Sequence, residues 1–517
     1  MSTSTQRQAS VAPGLSFAAH RERSFGSRPS ILRHRHTGIL VLLFLLSLPL
    51  VNPWVRGDGV GYYAYIRSML VEHKLDFQND WRDANLSFTV GKVHQDGEVD
   101  ATQFTSTGHL NNHFSVGPSI LWAPFLVPLH LGMLALQKLG FNVRPDGFSR
   151  PYIVTMALAT ALYGFLGVWL SFRLACRYVE ERWALLATLG IWFASSLPVY
   201  MYFNPSWSHA QSVFMVAVFL WYWHETRPER TLQQWVILGL ISGLMLDVYY
   251  ANIAILVVAL AESIRQYWQN WRQPQHDWRS TRRLFVANLA YCVAIVIAFL
   301  PTLITRQIIY GRPLDFGYGG TEVWKWYAPH LSSVLFSSDH GLLAWTPILI
   351  PAAAGLVLFL KREQKFATYL IAAVLALYYL IAIDPCWDGL SSFGNRKFIS
   401  LLPLFVIGLA VALSEFAGWL KENKRPMAIA ASVVAVFVIW NLAFIFQWGT
   451  HLVPARGPIS WKQMAYNQIA VAPKRAVTDV KAYLENRRGM MKQIEVEDLE
   501  QQKEQTKAGT TGTGVGK

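Results

Sequence analysis

Residues 38–55 read Gly-Ile-Leu-Val-Leu-Leu-Phe-Leu-Leu-Ser-Leu-Pro-Leu-Val-Asn-Pro-Trp-Val, and Arg56-Gly57-Asp58-Gly59-Val60-Gly61-Tyr62-Tyr63-Ala64-Tyr65 follows directly. Crossing the hydrocarbon core of a bilayer takes about 20 apolar residues, so the first stretch reads as a span. Asp58 then falls at a membrane–water boundary. The glycines beside it let a ligand approach, and tyrosines suit that interface. An acid opening a long polar loop at this point is where an enzyme acting on a lipid-linked substrate keeps its base. The plainer reading is an acid that merely starts a loop, so the rest of the chain has to decide.

The chain of 517 residues is 53% hydrophobic and only 15% charged. Soluble domains carry roughly 25% charged residues, so this is a multi-pass membrane protein. The formal net charge of +14 does not indicate nucleic acid, because the cations fall in short clusters between apolar runs. That is the pattern of cytoplasmic loops. Cys176, Cys292 and Cys386 lie in different segments with no metal-ligand spacing, so neither a disulfide framework nor a zinc site is indicated. Residues 1–37 are polar and carry Arg21, Arg23, Arg28, Arg33 and Arg35; no small-x-small cleavage signal follows the apolar run. The run reads as an anchor behind a disordered cytoplasmic tail.

Further apolar runs cover residues 151–175, 183–200, 209–223, 232–248, 251–264, 284–304, 341–360, 366–383, 398–420 and 427–447. With 38–55 they give about 11 spans. Val116 to Leu139 is also apolar, and counting it would put five basic clusters outside: Arg177/Arg182, Arg227/Arg230, Arg272/Arg279/Arg282/Arg283, Lys361/Arg362/Lys365 and Lys421/Lys424/Arg425. Read as an interfacial helix, broken at Pro118, Pro124 and Pro128, it leaves all five inside with the basic N-terminus. The expected architecture is an all-α polytopic membrane protein. Its parts are a tail at 1–37, a transmembrane domain at 38–447 whose first outer loop (56–150) carries interfacial helices, and an outward tail at 448–517, partly helical and then disordered.

With that sidedness nearly every candidate polar residue lies outside. Gly61 to Leu75 has the spacing of an amphipathic helix. His109 and His113 stand four apart, but the glycines and Pro118 around them argue for a structural or ligand-binding histidine over a metal ligand. In Asn204-Pro205-Ser206-Trp207-Ser208-His209-Ala210 a histidine starts a membrane helix, which is costly unless it faces a polar cavity. Asp247 closes a span by the same logic. Lys325, Asp388 and Arg396 belong to later outer loops, and Arg396 in Ser392-Phe393-Gly394-Asn395-Arg396 breaks the positive-inside trend. Its guanidinium offers a fixed fork to phosphate oxygens. The duller reading of Arg396 and Lys397 is a helix-end anchor.

This order of motifs resembles the GT-C membrane glycosyltransferases, which use polyprenyl- or dolichyl-phosphate sugars, including mannosyltransferase-like members such as family 39. The resemblance covers residues 38–420. It rests on the Asp after the first span, the long outer first loop, and the wording of Gly57-Asp58-Gly59, Phe114-Ser115-Val116-Gly117-Pro118, Ser208-His209-Ala210 and Ser392-Phe393-Gly394-Asn395-Arg396. The chain departs in lacking a paired Asp-Glu in the first loop, and in having His209 where several relatives carry a second acid. Metal dependence and acceptor type are therefore open.

The resemblance implies a hexosyl- or pentosyltransferase that works with inversion on the outer face of a bacterial inner membrane. A sugar would pass from a polyprenyl-phosphate donor to a lipid, glycan or protein acceptor. Asp58 is expected as general base and His209 as a second catalytic group; Arg396, Tyr62, Tyr63, His113, Lys325, Asp247 and Asp388 are expected to bind substrate. No residue set demands a cofactor, although a divalent cation is compatible with the chemistry. Beyond membrane lipids and the two substrates no partner is implied, and nucleic acid is excluded. The rival readings are a lipid-linked sugar transporter or flippase and an oligosaccharide polymerase or ligase. No internal repeat supports the transporter.

Overall fold

The computed structural model describes residues 31–227, 229–272, 278–317, 323–420 and 425–512. Residues 1–30 of the basic tail and the Gly/Thr-rich end at 513–517 lie outside them, as do Lys421 and Lys424. Among the described residues the only β pairing is two isolated bridges, Val93 with Val99 and Phe104 with Leu110. The protein is otherwise helical, as a chain in lipid must be if its backbone groups are to be satisfied within each segment.

Helix α1 (Ile31–Ser47) leads through an extended stretch to α2 (Asp58–Val71), then to the short α3 (Gln78–Arg82) and α4 (Leu86–Thr89). Next come α5 (Gly117–Lys138), α6 (Arg150–Ala175), α7 (Glu181–Phe193), α8 (His209–Thr226), α9 (Leu232–Val248), α10 (Val257–Arg272) and α11 (Trp278–Tyr310). The second half holds α12 (Leu331–Phe336), α13 (Leu342–Trp345), α14 (Leu349–Phe359), α15 (Gln364–Ala382), α16 (Leu402–Trp419) and α17 (Pro426–Gly449). Three helices follow: α18 (Trp461–Tyr466), α19 (Ala472–Glu485) and α20 (Arg487–Gly512).

Among the described residues six segments are long and apolar enough to cross a membrane: α5, α6, α11, α15, α17 and Arg396–Trp419, which contains α16. Shorter apolar helices are Arg35–Leu50, α9 and α14. This is an all-α integral membrane protein. α11 bares Leu289, Val293, Val296, Ile297, Leu300 and Ile304 along one face, as a helix in lipid does, whereas α16 is central and almost wholly buried. Close packing at the centre depends on small residues: a Cβ on Gly355 of α14 would lie 1.8 Å from the carbonyl oxygen of Gly408 on α16. Helices in lipid associate through such close backbone approaches.

Three of the basic clusters and the start of α1 meet at one end of the bundle. His36 at the start of α1 pairs with Glu181 at the start of α7, 3.0 Å apart; Arg177 pairs with Glu225; Arg227 donates to the Tyr178 hydroxyl; and Arg362 pairs with Glu415 and donates to the Tyr178 carbonyl. α5 stays away from that end. It runs antiparallel to the other half of α6, through Tyr163 donating to the Leu121 carbonyl, Trp122 to Thr160, and His130 to Tyr152. One expectation fails, for α5 is a single continuous 22-residue helix despite Pro124 and Pro128 inside it. Each proline forfeits one backbone hydrogen bond, and the contacts with α6 outweigh that loss.

Candidate active site

Asp58 is the first residue of α2, preceded by Gly57 in the left-handed region at φ +53°. The Gly57 amide donates to Asn85 Oδ1 at 3.0 Å, and the Trp207 indole N–H donates to the Arg56 carbonyl at 2.9 Å. These two bonds fix the turn that presents the carboxylate. Arg396 reaches it from the loop ahead of α16, its Nη1 donating to Asp58 Oδ2 at 2.7 Å. The guanidinium also lies over the Trp207 ring, 4.2 Å from its centre. Such a cation over an indole face gains where water is excluded. The Arg396 side chain is only 12% exposed, while Asp58 keeps 31%, so the acid faces open space and the cation stands behind it. The Phe393 amide donates to the buried Tyr200 hydroxyl and ties the Arg396 loop down.

Asp58 and Arg396 line a cavity of about 740 Å³ together with Lys92 and His113. Burial lowers the Lys92 ammonium below its usual range, with Asp58 pulling the other way. Burial pushes the His113 imidazole down to about 4, against the Asp58 charge, with Lys92 and Arg306 adding to the fall. His113 is therefore neutral at physiological pH and brings no charge to the cavity. Its backbone is clamped by Arg306 of α11, whose guanidinium donates to the carbonyls of Asn112 and Phe114 and to the Tyr65 hydroxyl. Away from these polar groups the wall turns apolar, with Phe193, Tyr202, Phe203, Leu442, Ile445 and Phe446.

The C-terminal helices close this cavity. Tyr483 donates to the Leu50 carbonyl at 2.9 Å, and Arg487 donates to the carbonyls of Pro49 and Val51. Glu495 accepts from Asn85 and from the Ser87 amide, Asp498 pairs with Arg56, and His451 sits between Glu497 and Asp498 at 2.7 and 2.9 Å. These carboxylates hold the imidazole's proton, against burial, and raise the His451 pKa above its usual value. A second cavity of about 890 Å³ adjoins through Asn52 and Met491 and is lined by Arg144, Arg150, Arg487, Arg488 and Lys492 beside Asp80 and Asp83.

Of the sequence candidates, Asp58, Arg396 and His113 share the first cavity. Tyr62, one turn along α2, is buried against Phe114 with its phenol pushed up by burial and by the Asp58 charge. Tyr63 turns to the second cavity and donates to the Gly147 carbonyl. His209 is buried among Tyr200, Trp207 and Tyr249, a layer behind Arg396. Asp247 is buried elsewhere and accepts from Thr302 at 2.5 Å. Lys325 lies exposed on a loop whose backbone bonds to Ile383, and Asp388 lies with Asp339 and His340. Neither lines the cavity. Sequence reasoning missed Lys92, Arg56, Arg306 and the docking of α19 and α20. Trp207 was within a quoted motif, and its place beside a histidine at a helix start was the available signal.

The fold and site thus define a helical membrane protein with a charged cavity at the end opposite the basic clusters. No family model matches the chain, and no curated protein matches it. Among solved structures it is similar to the crystal structure of ArnT from Cupriavidus metallidurans in the apo state. That match has a TM-score of 0.46 at 15% identity and covers 91% of this chain and 74% of that one. It is also similar to the archaeal oligosaccharyltransferase AglB from Archaeoglobus fulgidus in complex with an inhibitory peptide and a dolichol-phosphate. There the TM-score is 0.39 at 14% identity, over 87% of this chain and 56% of that one.

Proposed function

We propose that this protein is a GT-C-type glycosyltransferase that takes a sugar from a polyprenyl-phosphate donor, with the site on the outer face of the membrane and the N-terminus in the cytoplasm. The observation that carries the reading is the Asp58–Arg396 pair at the polar end of an apolar-walled cavity. The gathering of three of the basic clusters at the opposite end, with the start of α1, supports the sidedness.

In this reading the donor's lipid lies along Phe203, Leu442, Ile445 and Phe446, and its phosphate meets Arg396 and Lys92. A phosphate competes with Asp58 for the guanidinium, so donor binding loosens the ion pair and frees the carboxylate as a base. Asp58 takes the proton from the acceptor hydroxyl as that oxygen attacks the anomeric carbon. The bond from that carbon to the phosphate oxygen breaks on the far face, with inversion, and the lipid phosphate leaves as an anion. Negative charge grows on the phosphate in the transition state, which is where a preorganised cation contributes most. The second cavity, rich in arginine, suits an acceptor bearing negative charge.

The test is transfer from a panel of radiolabelled polyprenyl-phosphate sugars to endogenous acceptors, comparing wild type with Asp58→Asn. General bases typically contribute 10²–10⁴-fold, so the variant should lose at least about a hundredfold in rate while inserting and folding normally. Full activity in Asp58→Asn would sink the reading. Lipid movement across vesicles without any transfer would favour the transporter.

A further inference from the structure

Asp339, His340 and Asp388 each offer one ligand atom, and all three atoms lie within 4.8 Å of one another. Three points so spaced share a centre within about 2.8 Å of each, the greatest separation divided by √3. Metal–nitrogen and metal–oxygen bonds of about 2.0–2.2 Å then need a contraction of under an ångström.

His340 is fully buried, yet neither ring nitrogen makes a hydrogen bond, and Asp339 Oδ1 is likewise buried without one. Nδ1 stands 3.1 Å from that oxygen, but the angles form no hydrogen bond. Buried polar atoms are nearly always satisfied, and an ion is one of the few explanations when several orphans face each other. The backbone adds a second sign. His340 has φ +58°, a strained conformation for a residue with a Cβ. It is held there by the Gly341 amide bonding to the Ser337 carbonyl and the Asp339 amide bonding to Ser337 Oγ. The ring packs against Trp345, whose indole donates to the Ser338 carbonyl.

We infer that Asp339, His340 and Asp388 bind a divalent transition-metal ion of the Zn²⁺ type. One imidazole and two carboxylates form a nitrogen–oxygen set suited to Zn²⁺ over Mg²⁺, which prefers oxygen alone and keeps its waters. The ion clasps the turn at 337–341 to the loop at 384–397. A Cβ on Gly389, next to Asp388, would lie 3.5 Å from Arg396 Cγ and Nε, so the clasp bears on the side chain that pairs with Asp58. Asp388 thereby gains a positioning role instead of one in substrate binding.

The experiment uses the full chain in detergent, stripped with EDTA, incubated with Zn²⁺ or Mg²⁺ and desalted, with metal per chain measured by mass spectrometry. Wild type should retain about one equivalent of Zn²⁺ and little Mg²⁺; His340→Asn should retain less than a tenth of that. Zn²⁺ should raise the melting temperature of wild type by roughly 2 °C or more and leave His340→Asn unmoved. Asp388→Asn, altered at a less buried position, guards against misfolding and should lose the same ion. Retention of no Zn²⁺ by wild type, or retention by either variant equal to that of wild type, overturns the assignment. Because retention is read without any transfer assay, the site can stand or fall apart from the proposed activity.

Discussion

Arg396 Nη1 lies 2.7 Å from Asp58 Oδ2 although 338 positions separate the two residues in the chain. In the proposed mechanism the pair gives the base a partner whose charge is shared when the phosphate arrives, so acid and cation act as one unit. Arg396→Lys keeps the charge but loses the planar fork and its seat over Trp207. It should lower kcat/KM for a lipid-phosphate donor by roughly a hundredfold. Steady-state kinetics against donor concentration check this, and an unchanged ratio would remove Arg396 from phosphate binding.

His113 gives a pH signature. Its folded pKa is held down at about 4, against about 6.5 in an unfolded chain. Between those values the unfolded chain takes up a proton that the folded chain refuses, so stability falls as pH drops from 6.5 towards 4. The loss is at most about 3 kcal/mol. Thermal unfolding over that range should show the slope, and His113→Asn should flatten it.

His451 runs the other way. Held between Glu497 and Asp498, it is easier to protonate folded than unfolded. Its contribution is complete below the unfolded value near 6.5 and is lost as pH rises through the folded one. Hydrogen exchange in α20 should therefore quicken on the alkaline side of neutrality, beyond the intrinsic rise in exchange rate, and His451→Gln should remove that extra dependence.

Arg306 is a structural keystone of the site. Replacing it with Met removes the donor to the Tyr65 hydroxyl and leaves that hydroxyl's single proton to serve both buried carbonyls, Asn112 and Phe114. The expected cost is about 3 kcal/mol or more, with loss of order around His113. Denaturation in mild detergent reports the first effect. A melting temperature equal to that of wild type would contradict both.

Much of this was legible because hydropathy and lysine–arginine placement follow from the membrane itself. The expected runs 151–175, 209–223, 232–248, 366–383, 398–420 and 427–447 coincide closely with helices, whereas residues 251–264 straddle a 3₁₀ turn at Tyr250–Leu256 and the amphipathic α10. Asp58 stood out through its place after the first span. Lys92 did not, because it lies in a polar stretch whose path over the cavity is set by contacts such as its ammonium over the Phe88 ring. The docking of α20 was equally hidden: Glu495 and Asp498 look like ordinary surface acids until Arg56 and Asn85, over 400 positions earlier, are brought to them.

That last helix has a consequence for how the protein is made. Synthesis proceeds towards the C-terminus, so Pro49, Leu50, Val51 and Arg56 emerge long before Tyr483, Arg487 and Asp498, which bond to them. Until those later residues are made the cavity lacks its cover. A chain stopped before α19 would insert its spans yet leave Met490, Met491 and Ile494 missing from the wall. Docking of α19 and α20, rather than insertion of the spans, is what closes the chamber.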